Sequence, residues 1–131
     1  MYIVFGNEII DSSEIKDIIE NNSDFNVEKD LTKGSKREDT LAYQISIDVA
    51  LLNEVIKESY EEELFDEYMT LSDELAMELE EYMPEDIIIN ARAYKWDNSD
   101  NTIKLVLAMA HLELGELKLS DITRRLLTQV D

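Results

Sequence analysis

Between Leu41 and Ala50 the chain alternates without a break. Leu41, Tyr43, Ile45, Ile47 and Val49 are large and apolar, and Ala42, Gln44, Ser46, Asp48 and Ala50 between them are small or polar. A period of two with β-branched and aromatic side chains on one side predicts a strand with one buried face. Beyond it the period lengthens. Leu52, Ile56, Tyr60, Leu64, Tyr68, Leu71, Leu75, Leu79 and Tyr82 recur at a helical step, which predicts one long helix or two in tandem, closed by Pro84. Thr70 followed by Asp73 resembles a capping box, so two helices with a break near Met69 to Ser72 are expected.

Shorter patterns fill the remainder. Tyr2 to Phe5 is a β-favouring run ended by Gly6 and Asn7, and reads as a strand. Ser12 or Ser13 can cap a short helix carrying Ile15, Ile18 and Ile19 on one side, ending at Asn21 and Asn22. Lys29 to Asp39, KDLTKGSKRED, is polar and aperiodic, carries Gly34, and reads as an exposed basic loop. Ile87 to Trp96 and Thr102 to Leu112 flank the turn-forming DNSDN and suggest a β-hairpin. Ile103, Val106, Leu107, Ala110 and Leu114 fit helical spacing too, so the local pattern leaves the second arm open between strand and helix. Strand is the expectation taken here. Ser120 can cap a terminal helix that presents Ile122, Leu126, Leu127 and Val130. These elements predict an α+β fold, a small mainly antiparallel sheet with three to four helices including a long acidic helical segment, in one domain over residues 1–131.

Charge changes this picture most. Thirty-one acids against twelve bases give −19, distributed as −6 over residues 1–57, −13 over 58–91 and zero over 92–131. Such a field repels phosphates and anionic lipid, so neither direct nucleic-acid binding nor membrane binding is expected. It attracts basic surfaces, the commonest of which belong to proteins that themselves bind nucleic acid. Without cysteine there is no disulfide framework or thiolate metal site, which suits a reducing cytoplasm. No segment has the run of about 18 uncharged apolar residues a membrane span requires, and the start lacks the pattern of a signal peptide.

Candidate chemistry is sparse. His111 is the one histidine and has no cysteine, second histidine or Glu-x-x-His pattern beside it, so no metal site is expected. Gly6, Gly34 and Gly115 are too far apart to cradle a phosphate, and DNSDN lacks the central glycine and the twelfth-position acid of a calcium loop. No catalytic residue and no cofactor are expected, and the chain does not read as an enzyme.

The segment ESYEEELFDEYMTLSDELAMELEEYMPED, Glu58 to Asp86, carries thirteen acids and no base. In a helix, Glu58/Glu62, Glu62/Asp66, Glu63/Glu67 and Glu74/Glu78 repel at i,i+4, each costing about 0.2–0.5 kcal/mol, which a surface selected for stability alone would relieve with lysine. A continuous helix would carry a negative charge about every 3.3 Å, against about 3.4 Å along one DNA strand. Tyr60, Phe65, Tyr68, Met69, Met77, Tyr82 and Met83 interleave with the acids, either as core or as the centre of an interface. In length, absence of cysteine, charge and this unbroken block, the chain resembles the small acidic anti-CRISPR and anti-restriction inhibitors of phages and mobile elements. The resemblance implies an inhibitor that occupies a basic nucleic-acid-binding surface of a target protein, and it carries over no residue role. The acids expected to make the contacts are Glu61, Glu62, Glu63, Asp66, Glu67, Asp73, Glu74 and Glu78. Toxin-neutralising immunity proteins share this character. A third reading is an assembly protein, forming a homodimer through Tyr60, Leu64, Tyr68, Leu75 and Leu79.

Overall fold

The computed structural model describes residues 1–56 and 63–130. Strands β1 (Tyr2–Phe5) and β2 (Glu8–Asp11) pair antiparallel, with Phe5 opposite Glu8 and Tyr2 opposite Asp11. The two-residue turn between them puts Gly6 at φ +59°, a left-handed position that suits glycine as the first residue of such a turn. Asp11 ends β2 and caps helix α1 (Ser12–Asn22), its carboxylate accepting the Ser13 N–H at 3.1 Å. The same oxygen lies 3.3 Å from the N-terminal ammonium. The cap is therefore Asp11, not Ser12 or Ser13. Ile15 and Ile19 of α1 are buried, one helical turn apart.

Strand β3 (Asn26–Asp30) and strand β4 (Thr40–Asp48) follow, then helix α2 (Val49–Val55), helix α3 (Leu64–Met77), strand β5 (Ile87–Asp97), strand β6 (Thr102–His111) and helix α4 (Glu116–Leu126). The four longer-range strands form one antiparallel sheet in the order β3-β4-β6-β5. On one face Tyr43, Ile45, Ile47, Leu105, Leu107 and Met109 meet α1, α2, α3 and the hairpin. On the other, Ala42, Val106, Ala108 and Ala110 form a shallow floor on which α4 lays Leu119, Ile122 and Leu126. Alanines there let the helix approach the sheet closely. The far end of this face is polar: Lys104 is buried between Asp100 at 2.9 Å and Glu28 at 3.4 Å.

The double coverage settles the second arm of the hairpin. Strand β6 lies centrally with helices on both sides, so nearly every one of its residues is buried and the period-two signal is erased. Three further sequence expectations need correction. Residues 29–39 are not one exposed loop: Lys29 and Asp30 belong to β3, Lys33–Ser35 form a 3₁₀ turn, and Leu31, Thr32 and Ser35 are buried. Helix α3 runs unbroken through Met69 to Ser72, because Tyr68 and Ser72 lie on one buried face. Helix α2 instead ends at Val55, with Ile56 in an extended conformation. Helix α4 starts at Glu116, after Gly115 at φ +88°, so Ser120 is interior rather than capping.

Candidate functional site: an acidic docking face

Helix α3 is held from three sides by its core face. The Tyr68 ring meets Trp96 edge-on at 5.1 Å, and its hydroxyl donates to Asn53 of α2. Ala76 is fully buried, and Leu79, in the 3₁₀ turn Glu78–Tyr82 that continues the helix, is nearly so. This orientation turns the acids outward. Glu63 occupies the N-cap position without a side-chain capping bond; Asp66, Glu74, Glu78, Glu80 and Glu81 are exposed and Glu67 is half-buried. Among the described residues no ion pair joins any acid of Glu63 to Asp86 to a base. The bases of the 33–37 segment do not serve them: Arg37 is engaged by Asp39 through two bonds of 2.8 and 2.9 Å, which raises the Arg37 value and lowers that of Asp39.

Asp73 departs from the set. Its carboxylate accepts the Ala93 N–H at 2.6 Å, where a register shift between Ala93 and Lys95 marks a bulge in the outermost strand β5. Burial raises its carboxyl above the usual carboxylate range, opposed by that hydrogen bond and by the Arg92 charge. Asp73 serves the fold and does not belong to the outward face, and its apparent capping box with Thr70 does not form. Glu61 and Glu62, with Tyr60, lie outside the described residues. Of the expected set, Glu63, Asp66, Glu67 and Glu74 line one cleft beside α3 and Glu78 is exposed just past the helix end with Glu80 and Glu81, while Glu85 lies apart, beside Gly6, Glu8 and His111.

The geometry is a patch, not a rod. Helix α3 spans 14 residues with four acids, one per about 5 Å at about 1.5 Å rise, sparser than a DNA strand's phosphates at about 3.4 Å. The interleaved apolar residues divide: Tyr68 is 3 % exposed and belongs to the core, Met69 and Met83 are half-buried against it, and Phe65, Met77 and Tyr82 reach solvent among the acids. Of the residues expected to form a helix–helix dimer, Tyr68 and Leu79 are buried, Leu64 and Leu75 pack on the core, and Tyr60 lies outside the described residues. Between the end of α2 and α3 lies a cleft of about 490 Å³ lined by Val55, Ile56, Thr70 and Leu71 and by the acids Glu63, Asp66, Glu67 and Glu74.

A separate pocket of about 550 Å³ is lined by His111 with Glu8, Glu85, Asp86 and Glu113. His111 closes β6, packs edge-on against Phe5 at 5.1 Å, and accepts the Glu113 N–H at Nδ1, capping the turn that follows. DNSDN is a hairpin turn in which Asp97 accepts the N–H and hydroxyl of Ser99, and those bonds lower its carboxyl value. No cluster of metal-ligating side chains and no helix long and apolar enough to cross a membrane occur among the described residues. Comparison with protein-family models, with curated proteins and with solved structures finds no match to this chain.

Proposed function

We propose that this chain is a binding protein of the cytoplasm, not an enzyme, whose acidic α3 face occupies a basic, nucleic-acid-binding surface of a target protein and thereby inhibits it. The observation that carries this reading is the set of carboxylates from Glu63 to Glu81, Asp73 apart, with no ion-paired base among the described residues. Unpaired charge of one sign on a rigid helix adds attraction for a complementary surface and raises the rate of encounter with it. The anti-CRISPR and anti-restriction class remains the model for the target type. The reading does not need phosphate-like spacing, because a patch of carboxylates opposite lysines and arginines is sufficient for electrostatic docking.

A panel of purified nucleic-acid enzymes, titrated with the chain over a salt series, tests it. The expected partner binds at low salt, competes with its own nucleic acid, and weakens by roughly tenfold or more as screening sets in. Glu74→Lys/Glu78→Lys weakens binding without loss of fold. A partner whose affinity ignores both salt and this double variant removes the electrostatic mechanism.

A further inference from the structure

Beside the acids of α3 lies a concave patch of exposed apolar surface. Val55, the last residue of α2, is 56 % exposed, and Ile56 and Leu71 beside it are half-buried. With Thr70 they supply the less charged part of the 490 Å³ cleft, whose lining also includes the carboxylates of Glu63, Asp66, Glu67 and Glu74. An apolar patch beside acids is matched by the inverse arrangement on a partner: an aliphatic or aromatic anchor flanked by cations.

We infer that this cleft receives the anchor side chain of a basic amphipathic segment, a helix bearing one leucine-sized or aromatic residue between lysines or arginines. The acids of the lining run from Glu63 to Glu74, about 16 Å of helix axis, a span covered by three turns of a partner helix and too long for a single small cation. Nucleic acid and lipid phosphates are repelled from such a lining, and a second copy of this chain meeting it through the same face would bring its own acids against it. The inference rests on the proposed function and deepens it. Charge alone brings a basic surface to α3, whereas the cleft selects which basic segment stays, because the anchor's contribution survives salt that screens the acids.

The test uses two fluorescein-labelled synthetic helical peptides of equal positive charge, one with leucine and one with serine at the centre, titrated by anisotropy against the full chain. The leucine peptide is expected to bind about tenfold more tightly, and this ratio to persist at high salt while both affinities fall. Thr70 is exposed and lines the cleft, so Thr70→Trp fills it. That variant should abolish the leucine advantage and leave the serine peptide's affinity unchanged. Val55→Ser, at an exposed position, should reduce the ratio and serves if Thr70→Trp fails to fold. Equal affinity of the two peptides for the parent chain, or variants that weaken both alike, would overturn the anchor and leave the charged face standing. Binding of neither peptide at low salt removes the charged face and the anchor together.

Discussion

At Ala93 an amide hydrogen on the outermost strand faces no neighbouring strand, and Asp73 supplies its acceptor. The folded chain holds the Asp73 proton more tightly than the unfolded chain does, because burial disfavours the carboxylate. Its contribution to stability therefore falls as pH rises from the ordinary carboxylate range through the raised value. Asp73→Asn keeps an acceptor and removes this dependence, so the variant should match the parent at acid pH and melt higher at neutral pH. Parent and variant melting temperatures that stay parallel from about pH 3 to about pH 7 would contradict this. Asp73→Ala leaves the N–H without a partner and should cost about 1–3 kcal/mol at all pH values. Tyr68 gives a second residue-scale expectation, since it joins α2, α3 and β5. Tyr68→Phe should lose about 1 kcal/mol and Tyr68→Ala about 3–5 kcal/mol in urea unfolding.

Within α3, the effect of an acid depends on which end it occupies. Asp66 and Glu67 lie in the first turn, where the helix dipole favours negative charge, and Glu78 to Glu81 follow the last turn, where no base offsets the dipole. Asp66→Lys/Glu67→Lys and Glu78→Lys/Glu81→Lys change net charge equally, so their difference reports position alone. The second pair should be the more stable by about 1–2 kcal/mol in thermal or urea melts, and equal stabilities would mean that the dipole is ineffective here. The same ends explain what the sequence disclosed. Strand β4 was legible because one of its faces is polar, and the body of α3 because its spacing is helical. The β1–β2 hairpin was legible in principle: Gly6-Asn7 is a two-residue turn, and Glu8 hid the apolar pair Ile9 and Ile10 that continues it. Strand β3, at an edge and mostly exposed, has no apolar pattern to read. The acids of the candidate face were all visible as charge, but Asp73 looked like its neighbours because only the fold brings Ala93 to it. The cleft was not legible, since its lining joins Val55 to Leu71 and the pattern ends no helix at Val55.

For the molecule as a whole, the sheet separates unlike charge. Helix α3 with its acids lies on one face, and α4 on the other carries Lys118, Arg124 and Arg125 near the 33–36 segment, to which Gln129 donates a 2.9 Å hydrogen bond at the Gly34 carbonyl. A net charge of −19 leaves self-repulsion as the dominant long-range term, so the melting temperature should rise with added sodium chloride until the Debye length is about 3–5 Å. A melting temperature that falls over that range would mean that attractive pairs outweigh repulsion. The strand order has a different consequence, in time rather than in energy. Strand β6 is inserted between β4 and β5, yet it emerges from the ribosome about fifty residues after β4 ends. At about 5–20 residues per second, β4 waits several seconds with Leu41 to Ile47 unmatched on one side. Nascent chains stalled before Thr102 should be protease-sensitive and held by chaperones, and resistance should appear only once β6 has cleared the exit tunnel.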